Sequence, residues 1–205
     1  MIESDGATTP SPYRARLPIG ERLVVPKDGA VSWDIFPYEG EPTGRVLESA
    51  VLPEPPRHGE DGAGSCSACA REDASYLWTD ENWRLTSVAE APGIPAMLLL
   101  EPRAHVDLAE LPAERAAEIG PVLQRVERAV RSLDDVARVH INRWGDGAAH
   151  LHLWLLARPA GQVQLRGSLL PLWEEMLPRL PEEEWRENNR RIAAAMAAGG
   201  GIAHM

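Results

Sequence analysis

The alternation of apolar and polar residues predicts a small set of strands in the middle of the chain. Apolar residues at 76–78 and 83–87 flank a polar turn and predict a hairpin. The run Ala96–Glu101 predicts a buried strand, and the segments Arg138–Asn142 and His150–Ala157 predict two more. Because a helical pattern lies between these strands, we expect a compact α+β domain.

Two helices are predicted from spacing and end signals. Apolar residues at helical spacing run from about 111 to 133, with Pro112 at the start, and Gly120-Pro121 should kink or split this helix. A second helix should start at Pro181, where three glutamates follow, and stop at the glycines 199–201.

The two ends of the chain differ from this central region. Residues 1–14 are polar and predicted to be disordered, and the Pro-rich segment 53–59 is typical of a linker in which His58 is a solvated loop residue. We therefore expect an N-terminal extension and linker at 1–60, a central domain at 61–160, and a C-terminal extension with a helix at 161–205. Short β-type runs are expected in the first extension at Arg22–Val25, Val31–Phe36 and Gly44–Leu47.

Composition narrows the class of protein. The chain has 205 residues, 44% of them hydrophobic, which is enough for one core with extensions. Because its net charge is −10, we do not expect the chain to bind nucleic acid. No apolar stretch is long enough to span a membrane, and the N-terminus lacks a signal-peptide pattern, so the expected location is the cytoplasm.

The two cysteines form the pair Cys66-x-x-Cys69, which offers two soft ligands to a metal. A tetrahedral zinc needs two more, and the histidines at strand ends, His105 and His150, are candidates. Two reduced thiols with no metal remain the alternative interpretation.

The sequence His150-Leu-His152 places two imidazoles two residues apart on a predicted strand and therefore on one face. A neutral imidazole can attack phosphorus, which makes His152 a candidate nucleophile; a hydrogen-bonded core histidine is the alternative. The loop before it contains Gly147, whose exposed N–H group could receive a phosphate. Asn142, on the preceding strand, could face the same site.

The order Pro102-x-x-His105, helix, strand, glycine-containing loop and His150-x-His152-x-Trp154 resembles the histidine-triad superfamily. That superfamily is marked by His-x-His-x-His, and its galactose-1-phosphate uridylyltransferase branch by His-x-His-x-Gln. The match covers roughly residues 64–160. It implies an antiparallel sheet with helices, frequent homodimers, and nucleoside phosphate esters, anhydrides or amidates as substrates.

Carried over by position, the resemblance implies that His152 becomes nucleotidylated and that Gly147 donates to the phosphate. It implies a structural zinc held by two cysteines and two histidines, and a site asparagine whose position aligns with Asn142 if the loop is shortened and with His140 otherwise. The zinc set is Cys66, Cys69, His105 and His150.

The chain departs from the superfamily at three places. Trp154 stands at the third histidine, where an indole N–H can donate a hydrogen bond but cannot shuttle a proton. Asp146 lies near the position of a common glutamine, and Thr86 or Ser87 replaces a ribose-binding aspartate.

Three functions follow from these residues. The first is a nucleotide hydrolase or nucleotidyltransferase acting through His152. The second is a catalytically degenerate protein that binds a nucleotide or a protein partner. The third is a metal-dependent hydrolase that uses His150 and His152 together, which leaves the two cysteines without a role.

Overall fold

The computed structural model describes residues 17–204, so the expected disorder of residues 1–14 lies outside the described part. Contacts divide the chain into two compact units, Met1–Pro55 and Pro56–Met205. The boundaries expected at residues 60 and 160 stay a prediction.

In the first unit, the expected β-type runs are reduced to single bridges, which join Ile19 to Leu47 and Arg22 to Val46. The prediction of a β-type run at Val31–Phe36 is wrong, because a 3₁₀ turn forms at Ala30–Ser32. Both the amide and the hydroxyl of the serine at 32 donate to the carbonyl of residue 29, which closes the turn locally.

The second unit contains an antiparallel sheet, which confirms the α+β class. Its strands, among the described residues, are β1 (Trp78–Thr79), β2 (Trp83–Ser87), β3 (Met97–Pro102), β4 (Val136–Asn142), β5 (Leu153–Pro159) and β6 (Ile202–Ala203). They lie in the order β4-β5-β3-β2-β1-β6, with every named pair antiparallel.

The strand expected to begin at His150 begins instead at Leu153. The cause is a hydrogen bond out of the sheet, in which the amide of Leu151 donates to the carbonyl of Val106 at 2.8 Å. The segment that carries both histidines is therefore held between the sheet and the loop after β3.

The helices are α1 (Ser67–Ala70), α2 (Ala113–Arg131), α3 (Leu170–Glu174) and α4 (Glu182–Ala197). Helix α2 has Pro112 at its N-cap and is not split at Pro121, contrary to one of the two expected outcomes. None of the helices in the described part of the chain is long and apolar enough to cross a membrane.

The two faces of the sheet are covered differently. One face carries Leu98 and Leu155 and packs on α2 and α4, where Val126 and Ile192 are fully buried. Each such side chain stabilises the fold by about 1.5–3 kcal/mol relative to exposure. On the other face, a smaller cluster of Ile94, Leu156, Leu165 and Leu170 covers only the end of β5 beyond Trp154. The rest of that face, beside His152, stays accessible.

Candidate metal centre and active site

Four side chains from three separate parts of the second unit converge at one edge of the accessible face. Two cysteines come from α1 and its N-cap, one histidine from the turn after β3, and one from the segment before β5. Their ligand atoms all lie within 4.8 Å of one another. The four are Cys66, Cys69, His105 and His150, which is the set expected from the sequence.

The distances within this cluster fit tetrahedral coordination. The Nδ1 atom of His150 lies 3.5 Å from the Sγ atoms of both Cys66 and Cys69, and Nδ1 of His105 lies 3.4 Å from Sγ of Cys69. Zinc bonds of ordinary length at the tetrahedral angle place sulfur and nitrogen about 3.6 Å apart. Both imidazoles therefore present Nδ1 at ligand separation.

The second nitrogen of each imidazole is fixed by a backbone carbonyl. Nε2 of His150 donates to the carbonyl of Pro102 at 2.8 Å, and Nε2 of His105 donates to that of Gly59 at 3.1 Å. A carbonyl only accepts, so the proton must sit on Nε2 and the lone pair on Nδ1. Gly59 has a φ of +77° and lies against Cys66 and His105, where a Cβ would be crowded.

Burial shifts the pKa of two of the four side chains. It lowers the pKa of His150, which keeps that ring neutral as a ligand must be, and it raises the pKa of the Cys69 thiol to about 11. Two thiols and two oriented imidazoles are the donor set of structural zinc sites, so the residues present fit zinc.

His152 lies next to this cluster but not in it. It lines a cavity of about 230 Å³ on the accessible face of the sheet, together with Gly147 and Ala148 of the preceding loop. Its Nδ1 donates to the carbonyl of His150 at 2.9 Å. The lone pair is therefore on Nε2, the atom that an attacking imidazole must keep unprotonated.

Comparisons with known proteins give neighbours only among solved structures, because no family model and no curated protein sequence matches the chain. A Zn-bound histidine triad family protein from Mycobacterium smegmatis is 27% identical, over 67% of this chain and 96% of that one, with a TM-score of 0.49. A histidine triad protein from Bradyrhizobium japonicum is 18% identical, over 59% and 89%, with a TM-score of 0.49.

A uridylyltransferase is 18% identical, and the match covers 64% of this chain and 44% of that one, with a TM-score of 0.45. Histidine triad proteins and a uridylyltransferase are thus among the solved structures to which this chain is similar.

Sequence reasoning missed two residues that line the cavity. Arg71 brings a cation, held by the buried carboxylate of Glu101 at 3.2 Å and donating to Thr86 at 3.3 Å. His58 lines the same cavity, although its Pro-rich surroundings are typical of a linker. Neither residue belongs to a local motif that could have indicated its place in the cavity.

Two residues assigned to substrate binding do not line the cavity, although the ring of Trp154 lies 6.4 Å, centroid to centroid, from the ring of His152. Trp154 does not line the cavity, because its ring packs on the smaller apolar cluster and lies 5.9 Å, centroid to centroid, from the ring of Trp144. Asn142 is paired with Trp154 at the end of β4 and also lies outside the cavity. Their binding roles stay predictions.

A charged network holds the glycine-containing loop in place. Arg57 donates to Asp107 at 2.7 Å and to the carbonyl of Gly145 at 3.0 Å, and Arg143 also donates to Asp107. Burial would raise the pKa of Asp107, but these two arginines outweigh it and hold the pKa at about 2. The loop beside His152 is therefore tied to the turn after β3 by ionised groups.

Proposed function

We propose that this protein is a nucleotide hydrolase or nucleotidyltransferase of the histidine-triad type, acting through a covalent His152 intermediate. The observation that carries the proposal is the orientation of the ring: Nδ1 is committed to a carbonyl, and Nε2 is left as the nucleophile beside a cavity. The expected partner is a nucleoside phosphate ester or anhydride. A homodimer and a cytoplasmic location stay predictions.

The proposed reaction has two steps. Nε2 of His152 attacks the phosphorus of the nucleotide, a P–N bond forms, and the P–O bond to the leaving group breaks with its electron pair on that oxygen. Water, or the phosphate of a second substrate, then attacks the same phosphorus and the P–N bond breaks. The electron pair returns to Nε2, and when water attacks, its proton leaves with the released phosphate or solvent.

Local charge favours this substrate class despite the net charge of the chain. Arg71 lines the cavity with its side chain 37% exposed, so a cation faces the place where a phosphoryl group would sit. Its partner Glu101 is 4% exposed and accepts a second hydrogen bond from Tyr76, which fixes the guanidinium. A fixed cation stabilises the charge that develops on phosphoryl oxygens.

The metal is proposed as structural. A zinc held by the four-residue cluster would link α1 to the turn after β3 and to the segment before β5. It would thereby fix the segment that carries His152. The cluster supplies four protein ligands, so a tetrahedral zinc would have no open position for substrate.

The test is detection of the intermediate. The protein is mixed with a panel of nucleoside diphosphates, sugar nucleotides and nucleoside phosphoramidates, quenched in alkali and analysed by intact mass. We expect an acid-labile adduct of one nucleoside monophosphate, which is absent in His152→Ala and present in His204→Ala. His204 is a suitable control because it bonds Thr79 in β1, outside the cavity. An adduct that persists in His152→Ala contradicts the proposal.

The degenerate, non-catalytic protein is the second candidate, and Trp154 favours it because an indole cannot carry a proton. Nucleotide binding without adduct or turnover would support it. The metal-dependent hydrolase has less support, because the convergent ligand atoms include His150 but not His152.

A further inference from the structure

The position of Trp154 raises the question of what replaces the third polar group of the motif. Its indole packs on the apolar cluster and does not line the cavity. The cavity nevertheless contains an imidazole besides those of the His-x-His pair, from the segment N-terminal to the central domain. That residue is His58.

The backbone of His58 is bound to the glycine-containing loop from both sides. Its amide donates to the carbonyl of Gly147 at 3.1 Å, and its carbonyl accepts from the amide of Ala149 at 3.0 Å. These two bonds form a parallel bridge between His58 and Ala148. Its backbone is therefore part of the cavity wall, while the residue is exposed, as expected for a solvated loop residue.

The ring of His58 is oriented as well. Its Nε2 accepts from the backbone amide of Ser67 at 2.9 Å, and the hydroxyl of Ser67 lies 3.1 Å from the same atom. An atom that accepts from a backbone N–H carries no proton, so the neutral ring carries its proton on Nδ1. Within the described part of the chain, that Nδ1–H has no hydrogen-bond partner.

We propose that His58 is a substrate-contacting residue, whose Nδ1–H donates a hydrogen bond to a non-bridging phosphoryl oxygen of the group attacked by His152. The inference rests on the proposed function, because it assigns a donor to that same reaction. A donor held in place before the reaction stabilises the charge that grows on the phosphoryl oxygens in the transition state. His58 thus supplies a hydrogen-bond donor at the site and transfers no proton.

Three variants test the role. His58→Phe keeps a flat ring but removes the donor, and we expect kcat to fall by about 10²-fold, the usual effect of losing one such donor. His58→Gln keeps one acceptor for Ser67 and one donor, and should retain more activity than His58→Phe. His204→Gln is the control. Metal content and the midpoint of unfolding are measured for all variants, so that a folding defect is recognised.

A phosphorothioate substrate separates hydrogen bonding from a structural role. Sulfur in place of the non-bridging oxygen is a poor acceptor, so it should slow the wild type strongly and His58→Phe only slightly. If His152 forms its adduct and both variants of His58 react like the wild type, the inference is wrong while the proposed function stands.

A second measurement does not depend on turnover. Orthovanadate takes the five-coordinate geometry of a phosphoryl group under attack, and it is added to ¹⁵N-histidine-labelled protein observed by NMR. We expect the Nδ1–H signal of His58 to shift on saturation in the wild type and in His152→Ala. A signal that stays unchanged while vanadate binds at the cavity overturns the inference, even if no nucleotide substrate is found.

Discussion

Loss of the metal should destabilise the second unit by a large fraction of its folding free energy. The perturbation is Cys69→Ser, or removal of zinc from the wild type by a chelator. The cluster closes two successive loops, because Cys69 is 36 residues from His105 and His105 is a further 45 residues from His150, which lies 81 residues from Cys69. Treated as cross-links, the two successive loops reduce the entropy of the unfolded chain. They thereby raise its free energy by about 4 kcal/mol each, or about 8 kcal/mol together.

This magnitude is comparable to the whole stability of an ordinary domain, which is about 5–15 kcal/mol. The metal-free protein should therefore unfold at much lower denaturant concentration, or be partly unfolded at room temperature. Trp78 and Trp83 are 0% and 2% exposed, so their fluorescence reports the unfolding of the sheet. Zinc is measured in the same samples, before and after chelation.

The control is Ser65→Ala, next to the cluster, whose exposed hydroxyl only donates to a backbone carbonyl at 3.0 Å. It should bind one zinc per chain and unfold with the wild type. Equal unfolding midpoints for the zinc-loaded and chelated wild type would refute the reasoning, since the cluster would then hold no structural metal. So would a Cys69→Ser protein as stable as the zinc-loaded form.

The binding of zinc should also depend on pH. Burial raises the pKa of the Cys69 thiol to about 11 in the metal-free protein, so at neutral pH the metal must displace its proton. We expect the apparent affinity for zinc to rise by at least about tenfold per pH unit below that pKa. Competition with a chromophoric chelator at several pH values measures the slope, and a flat profile contradicts this protonation of the cluster.

Three further changes have defined outcomes. Asp107→Asn should lower the free energy of unfolding by about 2 kcal/mol at neutral pH. This stabilisation of the wild type is present above the unfolded pKa near 4 and is lost as the pH falls towards about 2. Denaturation at a series of pH values measures it. His140→Phe removes a buried Nε2 without a partner and should raise the free energy of unfolding by up to about 1 kcal/mol. Because burial and Arg158 lower the pKa of His140, the gain should grow as pH falls below about 6.5. Arg71→Gln should raise KM for nucleotides and lower the midpoint of thermal melts, because it leaves the buried carboxylate of Glu101 without its cation; an unchanged KM would remove this cation from the site.

Much of the second unit could be predicted because its signals are local. Apolar runs with turn residues between them predicted β1, β2, β3 and β4, and Pro112 with its following acids marked the start of α2. The short strand β6 gave no such signal. Its two residues, Ile202–Ala203, form a strand only because β1 offers an unpaired edge beside them.

The four candidate ligands, His152 and Gly147 could be predicted from the sequence, whereas His58 in the cavity wall could not. A Cys-x-x-Cys pair and histidines at strand ends show their chemistry in the sequence itself. The wall of the cavity depends instead on a parallel bridge between His58 and Ala148, which brings together residues about 90 positions apart. A Pro-rich stretch is typical of a linker, and nothing in its composition indicates a partner so far along the chain.

Trp154, at the position of the third histidine, packs on side chains that follow β5 in the chain. The indole packs with Leu156 against Leu165 and Leu170, side chains that lie beyond the central strands. A polar side chain at this position would be placed against an apolar surface, at a cost that a hydrogen bond would have to offset. These side chains and the tryptophan therefore fit each other. On our proposal, hydrogen-bond donation to the substrate falls to residues that line the cavity. On this argument, replacing Trp154 by histidine would lower stability, because the imidazole would lie against the apolar surface that the indole now covers.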